Sequence, residues 1–306
     1  MRKAQCMLLL GLCLALARPA ASTNRIKVLT SIFPLREFAA AVIGDRGETE
    51  LLLPPGAGVH TWQPRPGDIL RLASSDLFIS VGAGLEPWLS GVLKAVPGGR
   101  LRVLEVSRGL PLRPADAHEP EGSAPEHIHG PLDPHVWLDF SLDVQIVDQI
   151  AATLSEIDPA GGADFRRNAD TLKSRLRELD SRYADGLKNC AGKTLVIAGH
   201  AAFGYLAKRY GLVQTALYGL SPDSQPRPQQ LLKVIDFCRK EGIRTVFFET
   251  SVPPGLAQTL AGEIGGRILV LYAGHNLTRD QVVKGVGFFD IMEENLKNLR
   301  EGLGCR

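Results

Sequence analysis

Short apolar strands alternate with helical stretches along this chain, which predicts an α/β fold with parallel-type sheets. Two further observations divide it into two lobes. The alternation is interrupted once, by a long charged helical stretch at 163–189, and then restarts in the same style. The length, 306 residues, also suits two domains at roughly 100–200 residues each.

The first strand is 26–31, Ile-Lys-Val-Leu-Thr-Ser, short and β-branched. Residues 35–43 have helical periodicity and stop at Gly44. A second strand, 50–53, ends at Pro54-Pro55-Gly56. Helix 69–73 and the apolar strand 77–81 follow, closed by Gly82-Ala83-Gly84. Helix 88–95 and strand 101–104 complete the first series. The segment 114–130, rich in Pro, Gly, His and acids, has no hydrophobic period and reads as a surface loop long enough to carry a function. Helix 140–154 comes next.

In the interrupting helix, Leu172, Leu176, Leu179, Tyr183 and Leu187 recur at helical spacing. A helix of about 25 residues is near 40 Å long, enough to bridge two lobes. The second series then runs strand 194–197, helix 202–210, strand 213–218, helix 229–241, strand 245–248, helix 255–264, strand 267–272 and a final amphipathic helix 288–303. No internal sequence repeat is visible. The resulting division is 1–21, 22–155, 156–190 and 191–306.

Residues 1–21 form a positive start, a short apolar stretch and small residues before Ser22, the pattern of a secretory signal peptide. Leu12 before Cys13 is too bulky for a lipoprotein cleavage site, so lipid anchoring is not expected. Net charge is +2, without a basic run interleaved with aromatics, so nucleic acid is not an expected partner. Of five cysteines, Cys6 and Cys13 lie in the export segment. Cys190, Cys238 and Cys305 remain, consistent with one disulfide and one thiol in an oxidising compartment, the pairing left open.

There are seven histidines. His60, His135, His200 and His275 each fall at or near a strand-to-loop junction, two in each lobe. Ligands of open α/β sheets bind at the carboxyl ends of strands, so facing lobes would bring the four together. Neutral imidazole suits tetrahedral Zn²⁺, whereas Mn²⁺ favours carboxylate oxygen. Asp139 and Glu249 are the acidic groups placed to orient the rings from outside. Because imidazole ligates only when neutral, zinc affinity is expected to fall from about pH 6.5 downward. His118, His127 and His129 form a separate cluster with acids in the loop, either a weak auxiliary metal site or incidental residues of a polar loop. HExxH, GxSxG and P-loop motifs are absent, and no enzyme is expected.

Three motifs occur in order: Pro55-Gly56-x-x-x-His60-x-x-x-Pro64-x-Pro66-x-Asp68, Asp133-Pro134-His135-Val136-Trp137-Leu138-Asp139, and Gly199-His200-Ala201-Ala202-Phe203-Gly204. With the ending Asp290-Ile291-Met292-Glu293-Glu294-Asn295-Leu296, the set resembles the cluster A-I (cluster 9) solute-binding proteins, in particular the ZnuA-like zinc-uptake group. That resemblance implies two pseudo-symmetric α/β lobes joined by one long rigid helix. It implies Zn²⁺ in the interlobe cleft, a periplasmic location, and delivery to an ABC permease driven by an ATPase. Many relatives carry an aspartate near 273–276, where this chain has His275. His275 is therefore the expected fourth ligand, with Glu249 as a direct ligand or a water as the competing readings. Capture of Mn²⁺ or Fe²⁺ by the same fold, or a role as an adhesin or interaction protein, are the alternatives to zinc delivery. A secreted zinc hydrolase would need an exchangeable position on the metal.

Overall fold

The structure, a computed structural model, describes residues 25–96, 99–115, 132–217, 219–220, 228–249 and 254–306. The expected export segment and His118, His127 and His129 lie outside the described residues.

Strand β1 (Ile26–Thr30) leads to helix α1 (Phe33–Ile43), strand β2 (Gly47–Leu51), helix α2 (Pro66–Ala73), strand β3 (Leu77–Ser80), helix α3 (Leu89–Ala95) and strand β4 (Arg102–Glu105). These strands form one parallel sheet in the order β2-β1-β3-β4. Helices α4 (Phe140–Ile157) and α5 (Gly162–Lys188) follow. The chain then runs β5 (Thr194–Ala198), α6 (Gly204–Arg209), β6 (Val213–Ala216), α7 (Pro228–Lys240), β7 (Thr245–Phe248), α8 (Gly255–Glu263), β8 (Arg267–Val270), α9 (Arg279–Val283) and α10 (Phe288–Leu303). The second sheet is also parallel, in the order β6-β5-β7-β8. The two orders are equivalent, first strand flanked by second and third, so the lobes are pseudo-symmetric although the sequence shows no repeat.

Helix α5 has 27 residues and buries Phe165, Ala169, Leu172, Leu176, Leu179, Tyr183 and Leu187 along one stripe. Each buried leucine contributes roughly 1.5–3 kcal/mol of apolar transfer. The stripe packs on α1 and α4 of the first lobe and on α10 of the second. Tyr183 donates its hydroxyl hydrogen to Met292 O at 2.6 Å, which fixes α5 to α10. One continuous apolar core therefore runs from Val28 and Phe38 through α5 to Leu195, Phe247 and Phe288. Smaller clusters pad the outer face of each sheet.

The expected strand 50–53 is displaced to Gly47–Leu51, with Ile26 opposite Gly47 and Thr30 opposite Leu51. Pairing with β1 sets that register, while Leu52 and Leu53 are buried beyond the strand end. The five-residue helix α9 was not expected.

Candidate metal site

Each of the four histidines leaves its element for an identifiable reason. His60 follows β2 through Pro54-Pro55-Gly56, where Gly56 takes the left-handed φ of 82° that a glycine adopts freely. The indole N–H of Trp88 donates to Val59 O at 3.2 Å, and Trp62 meets Trp88 edge-on at 5.1 Å. The residues on either side of His60 are thus held by one tryptophan.

His135 starts a buried one-turn helix, Val136–Leu138. Asp133 Oδ1 accepts from the His135 backbone N–H at 3.0 Å and lies 2.8 Å from its Nδ1. His200 lies two residues past β5. The register pairs Ala198 with Phe248, which carries Glu249 alongside Gly199 and His200. A side chain on Gly199 would press on Glu249, since a Cβ there would stand 3.3 Å from Glu249 Cβ. That space admits Glu249 Oε2 to within 2.5 Å of His200 Nδ1. His275 follows β8 beyond Gly274, which has a φ of 72° and faces Met292 Cε.

All four imidazoles are buried: His60 at 4%, His135 and His200 at 0% and His275 at 8% exposure. One ligand nitrogen from each of His60, His135 and His200 lies within 4.8 Å of the others. His275 stands next to this group, its ring centroid 6.3 Å from that of His60, and among the described residues nothing hydrogen-bonds its Nδ1. Burial pulls the His135 pKa below the ordinary histidine value, against the opposing pull of Asp133. Burial also lowers His275, to about 4. Both rings are neutral near pH 7, the form that binds metal.

The decisive contact is His135 Nε2 to His200 Nε2, at 3.3 Å. Asp133 hydrogen-bonds the Nδ1 of His135, which places that ring's proton there and turns its Nε2 lone pair towards His200 Nε2. Glu249 Oε2 lies 2.5 Å from His200 Nδ1. Two nitrogens of a tetrahedral zinc are separated by about 3.4 Å, given bonds of ~2.05 Å. The cluster thus has the spacing of a zinc site.

Asp139, expected to orient an imidazole, does something else. It caps α4, accepting from Ser141 N at 2.9 Å, and pairs with Arg209. Its place beside His135 is taken by Asp133, which stands in the same Asp-Pro-His motif and was overlooked as an orienting group. Glu249 Oε2 faces the ring of His200.

The model of the family described as "ZnuA: Zinc-uptake complex component A periplasmic" matches residues 28–302. The chain belongs to the ZnuA family. ZnuA proteins are extracytoplasmic solute-binding components of ABC zinc uptake, not enzymes. The high-affinity zinc uptake system protein ZnuA of Bacillus subtilis is 32% identical over 282 residues, covering 92% of this chain and 88% of that protein. The zinc-binding protein AdcA of Streptococcus pyogenes is 30% identical over 93% of this chain but only 57% of AdcA, so the chain spans little more than half of that relative. Among solved structures, the Zn(II)-bound ZnuA-like domain of Streptococcus pneumoniae AdcA superposes with a TM-score of 0.76 at 30% identity, covering 92% of this chain and 99% of that one. The laminin-binding protein Lmb of Streptococcus agalactiae, described as both adhesin and metal transporter, has a TM-score of 0.80 at 27% identity, covering 92% and 100%.

Proposed function

We propose that this chain captures Zn²⁺ outside the cytoplasm and delivers it to an ABC permease powered by an ATPase. The observation that carries this reading is the 3.3 Å approach of His135 Nε2 and His200 Nε2, each ring backed by a carboxylate. His60, His135 and His200 would ligate directly, with His275 as the fourth ligand. Glu249 Oε2 already faces His200 Nδ1, which favours it as an orienting group. Asp133 and Glu249 would together offset the charge of a zinc held by four neutral nitrogens. The all-imidazole set supports zinc over manganese, which favours oxygen.

The division proposed is an export segment at 1–21, lobes at 22–155 and 191–306, and a linker at 156–190. The signal-like start supports export to the periplasm, and Leu12 before Cys13 supports a form without a lipid anchor. His118, His127 and His129 would supply a weak auxiliary site. Metal analysis of the purified mature protein tests the core of the reading: one zinc per chain, displaced neither by Mn²⁺ nor by Fe²⁺ in competition, is the expected result. Preferential retention of Mn²⁺ or Fe²⁺ would overturn it.

A further inference from the structure

We infer that Asn276 is a positioning residue of the metal site, strapping the His60 loop to the His275 loop. The inference rests on reading the histidine cluster as the zinc site. Asn276 Nδ2 donates to Pro54 O at 2.7 Å and to Ala57 O at 2.8 Å, while its Oδ1 accepts from Leu277 N at 2.8 Å. Gly56 N donates back to Leu277 O at 2.8 Å. The loop that carries His60 is therefore clamped, three residues before the histidine, by the residue immediately after His275.

Two more bonds run the same way. Phe33 N donates to His275 O at 2.9 Å, and Trp137 Nε1 donates to Ala273 O at 2.7 Å. Trp137 lies two residues after His135, and Ala273 two before His275. Residues 273–277 follow β8 of the second lobe in sequence, yet they are hydrogen-bonded to the first lobe at Phe33, at 54–57 and at Trp137. His60, His135 and His275 thus sit on backbone tied into one unit. His200, with Glu249, comes from the ends of β5 and β7. Removing the Asn276 amide would leave the carbonyls of Pro54 and Ala57 without these donors and release the His60 loop from His275. Two outer hydrogen bonds of this kind set ligand geometry, at a typical cost of about 10–100-fold in metal affinity when lost.

The test uses the whole mature protein with Zn²⁺ titration and with Co²⁺ as a spectroscopic probe of tetrahedral coordination. Asn276→Ala is expected to weaken zinc binding about tenfold or more and to alter the visible Co²⁺ spectrum. That loss is expected to shrink to within about twofold when His60 or His275 is already replaced by Ala, the signature of a coupled pair. Asn168→Ala, which removes a remote bond from Nδ2 to Val42 O, serves as the control and is expected to leave both readouts unchanged. Asn276→Asp keeps the acceptor for Leu277 N and removes the donors, and is used if the alanine variant fails to fold. Wild-type zinc affinity and Co²⁺ spectrum in either Asn276 variant would overturn the inference. So would a loss of equal size in the His60→Ala and His275→Ala backgrounds, which would mark general damage to the fold. Failure of the unmodified protein to bind zinc would instead overturn the zinc reading itself.

Discussion

Asp133 holds His135 at two points: its Oδ1 accepts from the histidine backbone N–H at 3.0 Å and faces the ring Nδ1 at 2.8 Å. The Asp133 main chain is itself fixed, its N–H on Arg113 O and its O accepting from the Tyr205 hydroxyl. This carboxylate selects the tautomer that presents Nε2 to the metal and raises the basicity of the ring. Asp133→Asn is expected to lower zinc affinity about 10–100-fold while the fold persists. Titration calorimetry checks it, and an unchanged affinity would mean the ring is oriented by packing alone.

Removing a ligand should cost more than removing its support. Ala replacements of His60, His135 and His200 are each expected to exceed the loss seen for Asp133→Asn, because a tetrahedral zinc then lacks a nitrogen. His275→Ala is expected to fall in the same range. A His275 variant that binds zinc as tightly as the unmodified protein would leave water or Glu249 as the fourth ligand.

Burial changes the pH behaviour expected from free imidazole. His275 has a folded pKa of about 4 against an ordinary 6.5, and His135 is also lowered. Between those values the unfolded chain binds protons that the folded metal-free chain does not. Stability of the metal-free protein is therefore full above about pH 6.5 and declines as pH falls towards 4. His275 alone accounts for up to roughly 3 kcal/mol of that loss. Denaturant melts at pH 7.5, 6, 5 and 4 would show it. Because these two rings are already neutral, zinc affinity should fall less steeply between pH 6 and 5 than for a site of four free histidines, which would lose up to about four log units per pH unit. A fall that steep would mean that His135 and His275 titrate as free histidines do.

The strands were legible because runs such as Leu77–Ser80 and Thr194–Ala198 are apolar, β-branched and stopped by glycine. Strand β2 was misplaced because its Gly-Glu-Thr-Glu-Leu has little strand character of its own. Its position comes from pairing with β1, a contact no local pattern encodes. Helix α9 did have a local signal, the reciprocal cap between Thr278 and Gln281, masked by its brevity. The pseudo-symmetry lies in strand order, which survives without shared residues. At the site, strand-end position pointed to His60, His200 and His275, which follow β2, β5 and β8, but His135 follows no strand of either sheet and instead starts a one-turn helix. Choosing Asp133 over Asp139 needed geometry, since both carboxylates stand close to His135 in the same motif and only one reaches its ring.

Cys190 and Cys305 are bridged across 115 residues, which ties the end of α5 to the second residue after α10. Among the described residues the pairing leaves Cys238, buried under the second sheet, as the free thiol. Closing so long a loop restrains the unfolded chain, and removing the bridge is expected to cost about 2–5 kcal/mol. Reduction should therefore lower the unfolding midpoint. Zinc affinity under native conditions should be unaffected, because Ala191 N to Gly304 O and Gly192 N to Leu303 O remain. Burial pushes the Cys238 thiol up to about 11, so it should resist thiol reagents until the protein unfolds. Rapid labelling of the native oxidised protein would contradict that.

Asp143 is the least comfortable residue of the first lobe. It lies on α4 at 0% exposure, and among the described residues neither carboxylate oxygen has a hydrogen-bond partner. Burial raises its pKa well above the usual value, and nearby Asp139 raises it further, against a smaller opposing effect of Arg209. Arg209 is already engaged, donating from Nε to Asp180 at 2.5 Å and from Nη1 to Ser141 Oγ at 2.8 Å. The folded chain therefore holds a proton on Asp143 that the unfolded chain releases above about pH 4. From there upward, stability falls as pH rises through the raised pKa, the opposite sign to the buried histidines. Replacing Asp143 by Leu, of similar size and without a charge to bury, is expected to stabilise the protein by about 1–3 kcal/mol at pH 7.5. The gain should shrink towards pH 4.5, where the native carboxyl is already neutral. Denaturant melts of Asp143→Leu at the two pH values decide it. A destabilised variant at pH 7.5 would show that the carboxylate is held charged by Arg209.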